Sequence, residues 1–354
     1  MSPRRALVVG ASGISGYNAA ARLLADGWEV TGLSRRPGQG PAGAGEVLVD
    51  LLDADAVAAA LDGGAYTHVF YCTWQRRDTE SENRRVNGAM LSAVLDALGP
   101  QGTLAHVALV TGLKHYLGPF EAYAQTPIET PFREEMGRVP YENFYYDQED
   151  ILFEAAVRHG FTWSVHRAHT MIGWALGNAM NMGVTLAVYG AMCREAGRPF
   201  VFPGSPQQYE GVTDITDATL LADQLVWSAT TPAGANQALN TVNGDVFRWR
   251  RMWEVIAADL GVATGPYPGH ARSLQEEMEG RDGEWESIVA RHGLAPTELS
   301  RLASWWHTDG DLGREVETFA DMTKSRSLGF LGFRDTRRTF LDLFERLRAE
   351  RIIP

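Results

Sequence analysis

A short apolar run near the start of the chain leads directly into a glycine-rich segment. Residues 6–9 (ALVV) are followed by GASGISG at residues 10–16 and then by an alanine-rich stretch at residues 19–24. This order predicts a strand, a tight turn and a helix, an arrangement that directs backbone N–H groups and the helix N-terminus at a pyrophosphate. The spacing differs from GxGxxG, and the alternative is an ordinary strand-to-helix turn. The residues expected to contact a dinucleotide are Gly10, Ser12, Gly13, Ile14 and Gly16.

The segment after the second predicted strand indicates which dinucleotide would bind. Residues 29–33 (EVTGL) end in Ser34, Arg35 and Arg36, where an NAD-preferring unit of this kind would carry an acidic residue. Arginine forks bind phosphate oxygens in a bidentate way, so this group suits a 2′-phosphate and predicts NADPH as the cofactor. Two solvated surface arginines are the alternative. A third apolar segment, residues 46–50, would place Asp50 near the adenine end, although aspartate is also a common turn residue.

The charge balance and the cysteine count argue against several classes of protein. The net charge of −12 argues against nucleic acid or an anionic membrane as a main partner. Two cysteines, Cys72 and Cys193, are too few for a disulfide framework or a metal cage, so no metal site is expected. The start of the chain does not resemble a signal peptide, and no apolar stretch is long enough to cross a bilayer. We therefore expect a cytoplasmic protein, with a homodimer as one compatible state.

Strand-like and helix-like patterns alternate through the first half of the chain, which predicts an α/β fold with a Rossmann-type, doubly wound parallel sheet. Thr73, Trp74 and Thr111 lie at the ends of two predicted strands and are expected beside the cofactor. Trp74 either contacts the nicotinamide or only packs at the end of the sheet. The later predicted elements are strands at residues 67–74, 104–110 and 162–167, helices at 83–98, 147–159 and 178–196, and a long loop at 119–140.

The predicted organisation has two parts. Residues 1–175 form the dinucleotide-binding domain, and a return strand near residues 237–243 completes its sheet. Residues 176–354 mostly form a smaller, helical substrate-binding lobe that is rich in tryptophan. A lobe over the carboxyl edge of the sheet would complete a substrate cleft.

A tyrosine and a lysine are the candidate catalytic residues. Many short-chain dehydrogenases pair a tyrosine with a lysine four residues later, but Tyr145 is followed at that spacing by Glu149. A carboxylate beside a phenol would disfavour the phenolate. Lys114, just past the fifth predicted strand, offers an ammonium from a loop that can reach the helix tyrosine at the mouth of the sheet. The alternatives are a core role for Tyr145, with Tyr146 as its substitute in another register, and a solvated Lys114.

Six motifs along the chain point to a known family. They are TGLKHYLGPF at residues 111–120, NFYYDQED at 143–150, TWSVHR at 162–167, NGDVFRW at 243–249, WW at 305–306 and GFLGFR at 329–334. Together they resemble the progesterone 5β-reductase/iridoid synthase family of atypical short-chain dehydrogenase/reductases. The displaced lysine and the FYYxxED pattern are the most discriminating features. One departure is Ala168-His169 where relatives usually carry a proline, which bears on the local substrate or nicotinamide contacts.

The resemblance implies an NADPH-dependent reductase of activated C=C bonds that acts on a small apolar enone or enal. It places the catalytic tyrosine at Tyr145, which would stabilise the enolate oxygen, and the catalytic lysine at Lys114, which would hold the nicotinamide ribose. His115, Tyr116 and Cys72 are expected to be packing residues. The alternative functions are a carbonyl reductase, an extended short-chain dehydrogenase acting on a sugar nucleotide, and a non-catalytic NADPH sensor.

Overall fold

The centre of the fold is a parallel sheet, seen in a computed structural model that describes residues 4–38, 40–119, 128–177 and 180–354. Seven strands form this sheet in the order β3-β2-β1-β4-β5-β6-β9, and each neighbouring pair is parallel. This order confirms the predicted Rossmann-type sheet. The strands are β1 (Arg5–Val9), β2 (Glu29–Ser34), β3 (Gly45–Leu48), β4 (His68–Tyr71), β5 (His106–Gly112), β6 (Thr162–Ala168) and β9 (Gln237–Thr241). A separate parallel pair joins β7 (Met171–Ile172) to β8 (Thr216–Asp217).

Helices cover both faces of the sheet. On one face, α2 (Ala54–Leu61), α3 (Glu80–Leu98) and α5 (Phe144–His159) bury their apolar side chains against the strands. On the other face, α1 (Ile14–Ala25) packs beside α8 (Ala218–Thr230). The strands are therefore covered by helices on both sides, which agrees with the continuous apolar runs of the central strands β1 and β4.

A helical lobe with its own core follows the sheet. Its core is built around tryptophans and phenylalanines, among which Trp285 and Phe340 are almost completely buried. The helices that contribute to this core are α6 (Met182–Glu195), α9 (Trp249–Leu260), α11 (Asp282–His292), α13 (Trp305–Leu312) and α15 (Thr336–Ala349). The shorter helices are α4 (Lys114–Leu117), α7 (Pro206–Glu210), α10 (Leu274–Glu277), α12 (Leu299–Leu302) and α14 (Thr323–Ser327).

Two elements from the second half of the chain belong to the layers around the sheet. The predicted return strand is β9, which extends the sheet beyond β6 but ends at Thr241 rather than at residue 243. The helix before it, α8, packs against α1 on the face of the sheet. The predicted division of the chain at residue 175 stays a prediction. Residues 218–241 come after this position in the sequence but pack with the sheet.

Helices α3 and α5 begin three residues earlier than predicted, and side-chain caps explain both starts. Thr79 Oγ1 accepts a hydrogen bond from the N–H of Glu82 at 3.2 Å, so α3 begins at Glu80 rather than at residue 83. Asn143 Oδ1 accepts one from the N–H of Tyr145 at 3.1 Å, so α5 begins at Phe144 rather than at residue 147.

Parts of three other predictions are corrected or lie outside the described residues. Strand β3 ends at Leu48 and does not reach Asp50, where the chain turns towards α2. Helix α6 begins at Met182, while residue 178, the predicted start, lies outside the described residues. Residues 120–127 of the predicted loop also lie outside them, and residues 128–140 contain no helix or extended strand.

Two features are absent from the described residues. No helix there combines the length and the apolar character that a bilayer span requires. No cluster of three or more histidine, cysteine, aspartate or glutamate side chains there could hold a metal ion.

Candidate active site

The glycine turn after β1 is crowded in a way that only glycine tolerates. Gly10 has a φ of +85°, and a Cβ added there would lie 2.7 Å from Thr73 Cβ. A Cβ added at Gly16 would lie 2.2 Å from the carbonyl oxygen of Gly10, so the first turn of α1 packs directly on the loop. Gly13 is the N-cap of α1 and has no side chain to cover the helix N-terminus. This bare, tightly closed turn fits the pyrophosphate of a dinucleotide.

A cleft of about 290 Å³ opens at the carboxyl ends of the strands, beside this turn. In an open parallel sheet, ligands bind at this edge. Gly16 supports the turn from behind and does not line the cleft. The predicted residues that line it are Gly10, Ser12, Gly13, Ile14, Thr73, Trp74, Thr111, Lys114 and Tyr145.

The predicted 2′-phosphate site lies outside the lining of this cleft but next to the glycine turn. The N–H of Gly10 donates a hydrogen bond to the carbonyl oxygen of Leu33, so Ser34 follows immediately beside the turn. Ser34 Oγ donates to the carbonyl oxygen of Arg36 at 2.8 Å, and the side chains of Arg35 and Arg36 are exposed. Their role in binding a phosphate stays a prediction.

Asp50 occupies a turn at the same side of the sheet. Its Oδ1 accepts a hydrogen bond from the N–H of Leu52 at 3.1 Å, and its carbonyl oxygen accepts one from the N–H of Asp53. The side chain is exposed and does not line the cleft. These bonds are those of a turn residue, and contact with an adenine ring stays a prediction.

Tyr145 and Lys114 come from different elements and line the same cleft. Tyr145 is the second residue of α5, and its hydroxyl lies against Gly112 at the end of β5, 3.4 Å from where a Cβ would be. Lys114 is the first residue of α4, so it stands in a short helix rather than in an open loop. Lys114 Nζ also lies 4.5 Å from the ring centroid of Phe144, which in turn stacks on Trp74.

Tyr146, the substitute in the other register, faces away from the cleft. Its hydroxyl donates a hydrogen bond to the carbonyl oxygen of His115 at 2.5 Å and accepts one from the N–H of Val139 at 3.0 Å. The ring is buried and is absent from the cleft lining. Of the two neighbouring tyrosines, the geometry therefore favours Tyr145 as the one that can meet a substrate.

The side chain of Glu149 does not line the cleft. Its side chain is buried, and it accepts hydrogen bonds from Arg167 Nη2 and Arg138 Nη2, each at 3.2 Å. Burial raises the pKa of Glu149, but His115, Arg167 and Arg138 together bring this pKa below its usual value. The expectation that its carboxylate acts on the phenol of Tyr145 is corrected, because Arg167 and Arg138 bind its oxygens and the side chain does not line the cleft.

The packing roles expected of three residues agree with their surroundings. His115 and Tyr116 are buried and do not line the cleft, and Tyr116 Oη donates a hydrogen bond to Asn240 Oδ1 at 2.7 Å. Cys72 is buried at the edge of the cleft, and burial raises the pKa of its thiol to about 12. A thiol held protonated is a poor nucleophile.

A buried polar network forms the lobe side of the cleft and was not predicted. His169 Nδ1 contacts Asp214 Oδ1 at 2.6 Å, and Arg314 Nη1 donates to His169 Nε2 at 2.7 Å. Arg314 Nη2 also binds Asp311, whose second oxygen accepts a hydrogen bond from Thr170 at 2.8 Å. Of the residues in this network, only His169 stood out in the sequence, as a departure from the family pattern. Its partner Arg314 is distant in the sequence, so the pairing itself could not be predicted.

Comparison with known proteins gives the family. The model of the PRISE-like Rossmann-fold domain matches residues 52–354. The (S)-8-oxocitronellyl enol synthase of Nepeta cataria is 40% identical over 99% of this chain and 93% of its own length. The 3-oxo-Delta(4,5)-steroid 5-beta-reductase of Arabidopsis thaliana is 39% identical over the same shares.

Solved structures agree on the fold. The UDP-glucose 4-epimerase of Thermotoga maritima superposes with a TM-score of 0.70 and 13% identity over 98% of this chain and 99% of its own. At this identity the likeness concerns the fold alone. The family match and the two near-full-length relatives carry the assignment: the chain belongs to the progesterone 5β-reductase/iridoid synthase family, with its PRISE-like Rossmann-fold domain.

Proposed function

We propose that this protein is an NADPH-dependent reductase of activated C=C bonds, which carries out 1,4-reduction of enones or enals. Its relatives include a 3-oxo-Delta(4,5)-steroid 5-beta-reductase and an (S)-8-oxocitronellyl enol synthase. The observation that carries the proposal is that Tyr145 and Lys114 line one cleft together with the glycine turn. The carboxylate of Glu149, which beside the phenol would have opposed this chemistry, is instead bound to Arg167 and Arg138.

The turn and the cleft are suited to the cofactor. Gly10 and Gly16 let the turn close tightly, since a Cβ at either position would collide with the protein, and Gly13 leaves the N-terminus of α1 uncovered for a pyrophosphate. Thr73, Trp74 and Thr111 would border the nicotinamide, and Arg35 and Arg36 would bind the 2′-phosphate. When bound, NADPH supplies the hydride that is added to the β-carbon of the substrate.

Tyr145 would act on the substrate carbonyl. Negative charge develops on the carbonyl oxygen as the β-carbon is reduced, and the Tyr145 hydroxyl would donate a hydrogen bond to that oxygen. A donor placed in this way typically accelerates a reaction by about 10²–10³-fold. The α-carbon can then take its proton from water, so the site needs no strong protein acid.

Lys114 would hold the ribose of the nicotinamide and keep a positive charge near the developing anion. This arrangement differs from the usual tyrosine–lysine pair on one helix face, because the ammonium belongs to a residue of α4, which follows β5. The apolar residues of the cleft, including Ile14, Phe144 and Trp306, suit a small apolar substrate. A cytoplasmic location and a homodimeric state stay predictions.

The test is product analysis with a panel of cyclic enones and linear enals. Oxidation of NADPH together with a saturated ketone or aldehyde is the expected result. An allylic alcohol would instead indicate a carbonyl reductase. Binding of NADPH without turnover of any member of the panel would favour a sensor and contradict the proposal.

A further inference from the structure

Glu80 is a carboxylate in the wall of the cleft that neither the sequence motifs nor the proposed chemistry uses. It is the first residue of α3, directly after the cap Thr79, and it lines the same cleft as Lys114 and Tyr145. Its side chain is only 13% exposed. A largely buried carboxylate is unfavourable unless it is paired and hydrogen-bonded, the more so in a cleft that would bind an anionic dinucleotide. Its partners should therefore explain its presence.

One oxygen of Glu80 is bound to Lys114. Lys114 Nζ donates to Glu80 Oε2 at 2.7 Å, and the lysine side chain is 12% exposed. Asn83 Nδ2, one turn further along α3, donates to the same oxygen at 3.1 Å. The ammonium is thereby held by a short, charge-assisted bond to an acceptor that is itself fixed by its own helix.

The other oxygen of Glu80 is bound to the helix that carries Tyr145. Glu80 Oε1 accepts a hydrogen bond from the N–H of Phe144, the first residue of α5, at 2.8 Å. The two oxygens of one carboxylate therefore connect the side chain of Lys114 to the start of the helix on which Tyr145 is the next residue.

A second link ties the backbone of Lys114 to the same helix start. Asn143 Nδ2 donates to the carbonyl oxygen of Lys114 at 2.9 Å, while Asn143 Oδ1 caps the N–H of Tyr145. Asn143 fixes where the backbone of Lys114 stands, and Glu80 fixes where its ammonium points. A lysine side chain has four rotatable bonds, so the backbone link alone would not determine the position of Nζ.

We propose that Glu80 is a positioning residue for Lys114, which holds the ammonium at a fixed distance from the Tyr145 helix and so aims it at the cofactor ribose. This inference rests on the proposed function, since it assumes that Lys114 serves the cofactor. The competing role is structural: Glu80 would only cap α5. That role does not need a charge, because a glutamine carbonyl also accepts the bond from Phe144, and α5 already has Asn143 as its cap.

The two roles predict different couplings between Glu80 and Lys114. In Glu80→Gln the acceptor for Phe144 is retained but the ion pair is lost, and the ammonium can adopt other rotamers. A residue that acts through Lys114 loses its effect when the lysine side chain is replaced by an uncharged one of similar length. A cap acts whether or not the lysine is present. A double-mutant cycle therefore separates them.

The cycle uses Glu80→Gln, Lys114→Met and the double variant, with two readouts. These are the Kd of NADPH from fluorescence titration and the single-turnover rate of NADPH oxidation with an enone. Glu80→Gln alone should lower the rate about tenfold and weaken NADPH binding, and it should add no further effect in the Lys114→Met background. The matched control is Glu82→Gln, an exposed carboxylate in the same turn of α3, which should behave as the parent protein.

Equal effects of Glu80→Gln in both backgrounds, or no effect at all, would overturn the proposal. If thermal unfolding shows that Glu80→Gln is not folded at the assay temperature, Glu80→Asp replaces it, since this change draws the charge back by one methylene. The Kd cycle separates the two failures. Suppose that the effect of Glu80→Gln on the Kd of NADPH disappears in the Lys114→Met background, but the parent protein reduces no enone. This result would contradict the proposed reaction and still support the positioning role.

Discussion

The hydroxyl of Tyr145 lies against the backbone of Gly112, 3.4 Å from where a Cβ would stand. The same Cβ would lie 3.1 Å from the carbonyl oxygen of Ala168, at the end of the neighbouring strand β6. The phenol therefore sits where two strands end and faces the mouth of the sheet. This placement, rather than the presence of a tyrosine in the motif, is what makes Tyr145 the candidate for contact with a substrate carbonyl.

Tyr145→Phe should lower the turnover of an enone by about 10²–10³-fold while leaving the Kd of NADPH nearly unchanged. The hydroxyl would make its contact mainly in the transition state, so its loss affects kcat more than ground-state binding. Steady-state kinetics and a fluorescence titration with NADPH measure the two quantities. Unchanged turnover would remove Tyr145 from the mechanism.

Tyr146→Phe is the matched comparison, because it removes a hydroxyl from the adjacent residue. That hydroxyl bonds His115 and Val139 away from the cleft, so the change should reduce stability by about 1–2 kcal/mol and affect turnover much less than Tyr145→Phe. Urea unfolding and the same kinetic assay test it. The reverse ranking of the two variants would place the catalytic hydroxyl on Tyr146.

Gly10→Ala should weaken cofactor binding. The residue has a positive φ, and the added methyl group would meet Thr73 Cβ at 2.7 Å and the carbonyl oxygen of Cys72 at 3.0 Å, so the turn must open. The control is Gly27→Ala, which has a similar φ of +77° but no atom within 4 Å of the added Cβ. Both variants should lose about 1 kcal/mol of stability through backbone strain, and Gly10→Ala should lose about 1–3 kcal/mol more through the collision. Only Gly10→Ala should weaken NADPH binding, and equal binding by the two variants would contradict the assigned site.

Arg35→Ala tests the choice between the two dinucleotides. If Arg35 binds the 2′-phosphate, the variant should bind NADPH about tenfold more weakly and bind NADH as the parent protein does. Isothermal titration with each cofactor gives the comparison. Arg337→Ala, a change of an exposed arginine on α15, is a control for the loss of one surface charge. Equal weakening for both cofactors would refute a 2′-phosphate role.

The sheet and the glycine turn could be predicted from the sequence because their signals are local. The doubly wound parallel sheet followed from the alternation of strand-like and helix-like patterns. The turn followed from the glycines at residues 10, 13 and 16, and the collisions of an added Cβ explain why positions 10 and 16 need glycine. The start of α3 was also readable, although it was missed: Thr79 and Glu82 have the spacing of a capping box, and Thr79 Oγ1 accepts a hydrogen bond from the N–H of Glu82 and donates one to Glu82 Oε2.

The partners inside the site could not be predicted, because they are distant in the sequence. Glu80 meets Lys114 and Phe144 only because the segments after β4 and β5 emerge side by side from the parallel sheet. In the same way, His169 and Arg314 are brought together by the packing of the lobe on the sheet. No periodicity in the sequence reports such pairings, although the position of Lys114 just past the fifth predicted strand did indicate that it could reach Tyr145.

His169→Ala should destabilise the fold by about 2–3 kcal/mol. The change would deprive the Asp214 carboxylate, which is 1% exposed, of its hydrogen bond from the imidazole and leave it with the N–H of Ala320. Urea unfolding measures the loss. His169→Asn, whose amide can donate to Asp214, should recover part of it, and His270→Ala is a surface control. Equal stability of His169→Ala and the parent protein would show that the pair contributes nothing.

Three buried histidines between the sheet and α8 make stability depend on pH. Burial lowers the pKa of His68 to about 4, that of His106 to about 3 and that of His166 to about 4, from an ordinary value of 6.5. The unfolded chain therefore binds protons at these sites between pH 6.5 and about 4, and the folded protein does not. Stability is fully present above pH 6.5 and falls as the pH is lowered through this window.

His166→Gln isolates one of these contributions. His166 hydrogen-bonds Gln224 Oε1 at 2.7 Å and Ser164 Oγ at 2.9 Å, and it is completely buried. Between pH 6.5 and pH 5, one such histidine adds a slope of up to about 1.4 kcal/mol per pH unit to the free energy of unfolding. The variant should be less stable at pH 7.5 and show a shallower slope in urea unfolding across this range. His270→Gln, a change of an exposed histidine, should keep the parent slope. A slope in His166→Gln as steep as in the parent protein would mean that His166 takes up its proton without unfolding.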